Sequence, residues 1–354
     1  MKTLSALLAL AAGSVSGQVL DVCAGGNCTW LAIRCGTEIG EEASTCLFLV
    51  SEGGSVFVDT LGIVRSDAAK CCLTRRDEGG CYAAVSIGTG YTAVSLRAYG
   101  PDGAREWEII EDGFCYDAPT GLFATSDGGA VLLWDSFSSE RGLWAMRVSP
   151  AGETVWKTFA LPTYHPDFTA FCPMADGSFL LAASTEAAMD DRAVAAVGSS
   201  GVVESFWTAG SLEALGAVTP VGIWTARGVP LSAWSGETTP VSLDELVMTT
   251  LLEDGATGES WRFKLNPVTG AMLVQAAPGG GFIFCGVEEL PWVCGCDRTG
   301  SVTWRSDFGI CFTPAAMTMT PSGTVVVAGD REDGFIVAEV DPATGVLWNF
   351  PGVL

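Results

Sequence analysis

Histidine and cationic side chains are scarce in this sequence. It carries 18 Lys and Arg against 41 Asp and Glu, for a formal net charge of −23, and its single histidine is His165. A surface this acidic repels nucleic acids and anionic membranes. One histidine cannot build a histidine-rich metal centre, and no G-x-S-x-G segment marks a serine that it could activate. We therefore expect neither nucleic-acid binding nor a serine-hydrolase or His-rich zinc site.

Long apolar runs and nucleotide-binding motifs are also missing. Beyond residue 17 no run of about 18 apolar residues occurs, so we expect no membrane insertion of the mature chain. There is no P-loop and no dinucleotide glycine motif, because the glycines at 279–281 precede a predicted strand and not a helix. No cofactor is predicted.

Residues 1–17 have the layout of a secretory signal peptide. One Lys precedes an apolar stretch over Leu4–Ala12, and small residues follow as far as Gly17. We expect cleavage after Gly17 and a secreted, extracellular protein, with the periplasm as the alternative location.

Thirteen cysteines in an exported chain predict disulfides, and the odd count leaves at least one thiol unpaired or paired with another chain. Hairpin spacing favours three pairs, namely Cys23 with Cys28, Cys35 with Cys46, and Cys72 with Cys81. Asn27 begins the sequon Asn27-Cys28-Thr29, so it is a glycosylation candidate in a eukaryotic source; a chance match is the alternative.

A glycine turn, a second turn and a large aromatic residue recur seven times. The aromatic series is Phe57, Trp107, Trp156, Trp207, Trp261, Trp304 and Trp348, at spacings between 43 and 54 residues. Repeats of this length are typical of propellers and solenoids, because one unit cannot bury its apolar face alone.

The fourth unit shows what one repeat contains. Phe168–Met174 is an apolar run, a turn signal at Gly177 follows, and Phe179–Ala183 is a second run. After a polar loop come Ala193–Val197 and a last run that ends at Trp207. Four antiparallel strands of this kind make one propeller blade.

The sequence thus predicts an all-β, seven-bladed β-propeller with four antiparallel strands per blade. The predicted blades are residues 18–60, 61–110, 111–160, 161–210, 211–264, 265–307 and 308–354. A linear solenoid is the rival architecture, but it would need polar capping units, and the terminal units are as apolar as the others.

The segment Val340–Trp348 contains D-x-x-T-G-x-x-W and resembles the repeats of quinoprotein-like (PQQ-like) β-propellers. The resemblance implies a propeller in which the Trp packs between blades. Some quinoprotein dehydrogenases place two adjacent cysteines over the cofactor, and Cys71-Cys72 is similar to them. The alternative is that these two cysteines face opposite sides of one strand.

Longer loops join the second and third strands and connect successive blades, so they should share one face of the disc. This long-loop face collects carboxylates, which could bind Ca²⁺ or a basic partner or could simply be solvated. The candidate ligand- or cation-binding residues are Asp135, Glu186, Asp190, Asp191, Glu288, Asp330 and Asp333. Blade two is the exception, with Ser86–Gly90.

We therefore expect a secreted acidic binding or scaffold module, acting as a monomer on a protein, glycan or cation at the long-loop face. The alternative is an enzyme on the same scaffold, either a quinone-dependent dehydrogenase or a glycan-cleaving enzyme that uses two carboxylates. No individual residue is predicted to be catalytic.

Overall fold

The computed structural model describes residues 17–353 with internal gaps. The gaps are 26–27, 36–41, 52–53, 66–68, 77–78, 112–115, 138–140, 162–168, 174–176, 186–190, 209–217, 227–228, 240–241, 252–256, 265–272, 278–280, 288, 298–300, 321 and 333. For parts of some strands, chiefly between residues 205 and 272, only the backbone is described. The predicted signal peptide at 1–17 lies almost wholly outside these residues.

The described strands form seven four-stranded antiparallel sheets, each built from four strands consecutive in the chain. Sheets one and two contain β1 (Gly17–Gly25), β2 (Cys28–Cys35), β3 (Glu42–Ser51), β4 (Gly54–Arg65), β5 (Cys71–Arg75), β6 (Cys81–Ile87), β7 (Ala93–Tyr99) and β8 (Arg105–Glu111). Sheets three and four contain β9 (Asp117–Ala124), β10 (Ala130–Ser136), β11 (Gly142–Val148), β12 (Thr154–Leu161), β13 (Thr169–Pro173), β14 (Phe179–Thr185), β15 (Asp191–Val197) and β16 (Val203–Thr208).

Sheets five to seven complete the series. They contain β17 (Val218–Ala226), β18 (Val229–Thr239), β19 (Ser242–Leu251), β20 (Thr257–Lys264), β21 (Leu273–Ala277), β22 (Gly281–Val287), β23 (Pro291–Cys296), β24 (Val302–Asp307), β25 (Thr313–Met319), β26 (Val325–Arg331), β27 (Gly334–Asp341) and β28 (Gly345–Val353). No α-helix occurs in the described ranges, and none of their elements is a helix able to span a membrane. The predicted all-β fold of four-stranded antiparallel sheets is confirmed.

Burial along the strands explains the sequence pattern. The second strands β6 and β10 are apolar at almost every position and buried on both faces, as expected for sheets with a neighbour on either side. The fourth strands β8 and β24 instead alternate between exposed and half-buried residues, so they form the outer edge. In all seven sheets the pairing of the third and fourth strands contains a register irregularity, which increases local twist.

Tryptophans of the outer strands connect one sheet to the next. Trp107 of β8 donates a hydrogen bond from Nε1 to the carbonyl oxygen of Pro150 at 2.9 Å, and Pro150 lies in the β11–β12 turn of sheet three. Trp156 of β12 donates in the same way to Ser199 in the β15–β16 turn of sheet four, at 3.0 Å. The predicted packing of these aromatic residues between neighbouring units is confirmed for Trp107 and Trp156.

In the first sheet the structure corrects the aromatic series by one position. A Cβ built on Gly103, the turn glycine of sheet two, would lie 3.5 Å from the Val58 side chain, just as a Cβ built on Gly152 would meet Trp107. Phe57 instead packs on Phe48, with ring centroids 5.7 Å apart, in the core between sheets one and seven. The irregular pairing next to Phe57 shifts the register, so Val58 occupies the tryptophan position.

The contacts between sheets run in a closed cycle. The first strand of each sheet contacts the first strand of the next, and β25 of sheet seven returns to β1. One apolar cluster contains residues from both ends of the chain, among them Val19, Leu31, Val326 and Phe335. Asp330 Oδ1 also accepts a hydrogen bond from the Val19 backbone N–H at 2.6 Å, across 311 residues of sequence. These contacts favour a ring over the rival solenoid.

Candidate functional site

The loop between β6 and β7, at residues 88–92, is bonded to sheets on both sides. The Gly88 N–H donates to the Ile63 carbonyl oxygen of sheet one at 3.0 Å. Thr92 pairs with Tyr116 in a parallel bridge and donates from Oγ1 to the Asp117 carbonyl oxygen at 2.9 Å. The Asp117 N–H donates back to the Thr92 carbonyl oxygen at 3.0 Å. Sheets one and three therefore brace this loop of sheet two.

Gly88 allows the loop to fold back on itself. Its φ of +109° is one that side chains with a Cβ rarely adopt, and a Cβ there would lie 2.4 Å from the Tyr91 carbonyl oxygen. The loop backbone consequently has a defined path, and that path places Tyr91 at the surface.

Tyr91 and Tyr116 form an exposed aromatic pair. Their rings are 5.9 Å apart between centroids and tilted by 59°, and the two residues are 68% and 55% exposed. Tyr91 lies in the loop between the second and third strands, and Tyr116 lies in the connection from sheet two to sheet three, so both belong to the long-loop face. Tyrosine combines a large apolar ring with a hydroxyl group and few rotatable bonds, which suits it to binding surfaces.

Further aromatic residues lie nearby in sheet three. Phe137, directly after β10, is 37% exposed. Beneath the surface the rings of Trp134 and Trp144 are stacked, with centroids 6.2 Å apart. The Lys157 ammonium lies 5.2 and 5.4 Å from these two ring centroids and also pairs with Glu111 of sheet two. The cation–π contact lies within sheet three, and the Lys157–Glu111 ion pair joins sheets two and three.

The predicted acidic residues divide into three groups. Asp135 is buried at the end of β10, and Asp330 is half-buried in β26 with its carboxylate bonded to Val19. The backbone of Asp191 is described at the start of β15, but its side chain is not. Glu186, Asp190, Glu288 and Asp333 lie outside the described residues. Within the described part of the chain, no group of three His, Cys, Asp or Glu residues is arranged to hold a metal. Calcium binding stays a prediction.

Two carboxylates bond the backbone of a neighbouring sheet. Asp330 accepts from Val19 of sheet one, and Asp21 Oδ2 accepts from the Leu73 N–H of sheet two at 2.6 Å. Burial raises the pKa of Asp21 to about 7, against the lowering effect of the Leu73 and Val22 N–H groups. Burial likewise raises the pKa of Asp330, opposed by the bond from Val19. Both carboxylates thus help to hold neighbouring sheets together. The abundance of acidic residues in the loops did not predict this structural role.

A partly buried ion-pair network also connects sheets one and two. Arg97 Nε donates to Glu108 Oε1 at 2.9 Å, and its Nη1 donates to the Thr60 carbonyl oxygen at 3.2 Å. The Tyr99 hydroxyl donates to Asp59 Oδ2 at 2.7 Å. These hydrogen bonds pair the charged groups with one another, so the network is structural in character.

The candidate cysteines are only partly brought together. Cys35 and Cys46 are buried on one face of sheet one, where a hydrogen bond from Cys35 lowers the pKa of the Cys46 thiol. Cys72 and Cys81 are not neighbours: Cys72 opposes Ala84, while Cys81 opposes Arg75, so strand alternation puts them on opposite faces. The Cys28 side chain and Asn27 lie outside the described atoms.

Sequence reasoning missed both tyrosines. The sequence distinguished sheet two only by the lack of carboxylates in its loop, and Tyr91 in that loop was not considered. The available signal was a tyrosine between two predicted strands, in a segment rich in glycine and threonine.

No protein-family model matches the chain, and no curated protein matches it. The resemblance to quinoprotein-like repeats therefore stays a prediction. Solved structures do match the fold. A putative 6-phosphogluconolactonase from Bacteroides uniformis aligns at TM-score 0.54 and 13% identity, covering 96% of each chain.

Two other solved structures point the same way. A structure described as YCF48 bound to D1 peptide aligns at TM-score 0.55 and 9% identity over 91% of each chain. Streptogramin B lyase aligns at TM-score 0.50 and 12% identity, over 84% of this chain and 86% of its own. These neighbours are β-propeller-like, and at such identities they establish the fold alone.

Proposed function

We propose that this chain is an exported, seven-bladed β-propeller that binds a partner protein through its long-loop face, with Tyr91 and Tyr116 as the anchor. The observation that carries the proposal is the exposed tyrosine pair on a loop braced from both sides. A rigid aromatic surface loses little conformational entropy on binding, which is why tyrosine is enriched in interfaces.

The seven-blade count is supported by the seven four-stranded sheets and by the cycle of contacts from β1 back to β25. In this proposal each sheet is one blade, with bounds close to those predicted from the repeat. The Asp330–Val19 hydrogen bond and the shared apolar cluster close the ring between blades seven and one.

Charge indicates which partner fits. With a net charge of −23, the protein attracts basic surfaces and repels acidic ones. A partner segment bearing Lys or Arg beside apolar side chains could stack on the tyrosines and face carboxylates at the same time. The YCF48 structure contains a bound peptide, so a protein of similar fold can hold one.

Peptide binding tests the proposal. Two pools of labelled 12-residue peptides, one enriched in Lys and Arg and one in Asp and Glu, would be titrated with the mature chain. We expect selective binding of the basic pool, weakened roughly ten-fold or more by Tyr91→Ala or Tyr116→Ala. Val155→Ala and Val202→Ala, at 55% and 60% exposed sites beside the turns of the opposite face, are the matched controls and should bind as wild type.

Two outcomes would contradict the proposal. If both tyrosine variants still bound the peptides as wild type does, Tyr91 and Tyr116 would not be the anchor. Binding to an array of glycans, with none to peptides, would assign the face to sugar recognition. Because both tyrosines are exposed, their variants should keep the wild-type unfolding midpoint, which separates loss of binding from loss of fold.

A further inference from the structure

We propose that Cys23 and Cys81 form a disulfide that ties sheet one to sheet two. Cys23 lies in β1, Cys81 begins β6, and their Sγ atoms are 3.7 Å apart across the interface between the two sheets. This pairing replaces the two predicted from hairpin spacing, in which each cysteine bonds within its own sheet.

The surrounding side chains hold the two sheets at the required distance. Cys23 and Cys81 are both buried in one apolar cluster, together with Trp30 and Tyr99. The Trp30 and Tyr99 rings are 6.1 Å apart, and Trp30 Nε1 donates to the Gly79 carbonyl oxygen at 3.2 Å. The bond requires the sulfurs to approach to about 2.05 Å, a closure that small side-chain rotations can provide.

The register excludes a bond between Cys71 and Cys81. Cys71 belongs to the same apolar cluster, but it opposes Val85, whereas Cys81 opposes Arg75. Four residues of strand separate these two positions, or about 13 Å, and a disulfide needs Cα atoms within about 7 Å. Cys71 therefore cannot take the place of Cys23 in a bond to Cys81.

Formation of the bond needs an external disulfide, for example oxidised glutathione. The thiolate of one cysteine attacks that disulfide and releases one external thiol, giving a mixed disulfide. The second thiolate then displaces the second external thiol, so the two cysteines lose two protons and two electrons and the external disulfide gains them. Burial raises the pKa of the Cys81 thiol well above its ordinary range, which disfavours attack once the sheets have docked. Oxidation therefore belongs to the period of folding.

Trypsin separates the relevant cysteines, which makes the pairing directly readable. Cys23 is in the peptide that ends at Arg34, Cys71 and Cys72 are in residues 71–75, and Cys81 is alone in residues 77–97. After alkylation of the full chain without reduction, we expect the Arg34 peptide to be linked to residues 77–97. The link should persist in Cys28→Ser and Cys71→Ser and disappear in Cys81→Ser.

An alkylated Cys81, or residues 77–97 linked to residues 71–75, would overturn the pairing, and the wild-type digest decides this even if a variant fails to fold. The presence of an oxidant rests on the proposed export. A second experiment therefore refolds the chain with oxidised glutathione. A link seen after refolding but not in the isolated protein would support the pairing and contradict export. As a further measure, a reducing agent should lower the wild-type unfolding midpoint by roughly 5 °C or more, and by less in Cys23→Ser.

Discussion

Replacing Gly152 with alanine tests how the outer tryptophans hold neighbouring sheets together. Gly152 has a φ of +83°, and a Cβ at this position would lie 2.8 Å from Cδ2 of Trp107. The substitution therefore has two costs. The positive φ costs about 1–2 kcal/mol for any residue with a Cβ, and displacing the indole weakens the Trp107–Pro150 hydrogen bond, at about 1 kcal/mol.

We expect Gly152→Ala to lower the free energy of unfolding by about 2–3 kcal/mol, measured by urea denaturation followed by circular dichroism. Gly323→Ala is the matched control, because Gly323 has a φ of +90° but no atom within 4 Å of a built Cβ. It should show the backbone cost alone. Gly90→Ala, in open space without a positive φ, should be close to neutral.

The difference between Gly152→Ala and Gly323→Ala isolates the tryptophan contact. Equal losses of stability in the two variants would refute it. A double-mutant cycle with Trp107→Ala adds a second check, because the alanine at 152 then has no indole to displace. Additive effects in that cycle would also contradict the reasoning.

Two further predictions concern the carboxylates. The raised pKa of Asp21 means that the folded state binds a proton more tightly than the unfolded state. This group therefore stabilises the fold in acid, and its contribution is lost as the pH rises from about 4 to about 7. We expect the free energy of unfolding to fall by an amount on the order of 2–4 kcal/mol over that range, measured by urea unfolding at each pH. The Asp21→Asn variant should not show this fall. An equal dependence of unfolding free energy on pH in both proteins would contradict the prediction. If the acidic long-loop face binds calcium, millimolar Ca²⁺ should raise the unfolding midpoint more than Mg²⁺ does at equal ionic strength. Changing Asp190, Asp191 and Asp333 to Asn should remove the difference. Equal shifts of the midpoint with the two ions would mean that charge screening alone is responsible.

The repeat was predictable because it rests on local chemistry. The second strand of sheet four reads as an apolar run over Phe179–Ala183, and the structure extends this strand by two residues, to Thr185. The turn glycines were also readable: Gly177, the turn signal of the fourth unit, has a φ of +83°. The shift from Phe57 to Val58 was not readable, because an irregularity in strand pairing leaves no mark in composition.

The candidate site was harder to predict because it depends on contacts between units. Tyr91 and Tyr116 are 25 residues apart in the sequence and meet through a single bridge between two sheets. The same holds for Cys23 and Cys81, whose proximity follows from the docking of two sheets and not from hairpin spacing. Local patterns predict which residues share a strand, but they carry no information on which side chains face each other across an interface.

The contact between the first and last sheets has a consequence for the order of folding. Every sheet is built from four consecutive strands, so the ladder hydrogen bonds join residues close in sequence and can form early. The Val19–Asp330 seam instead joins positions 311 residues apart and shares no strand between the two sheets. The entropic cost of bringing these two positions together is smallest once the intervening sheets are already stacked. We therefore expect the seam to close last. Because no strand is shared, opening the seam breaks no ladder hydrogen bond within a sheet.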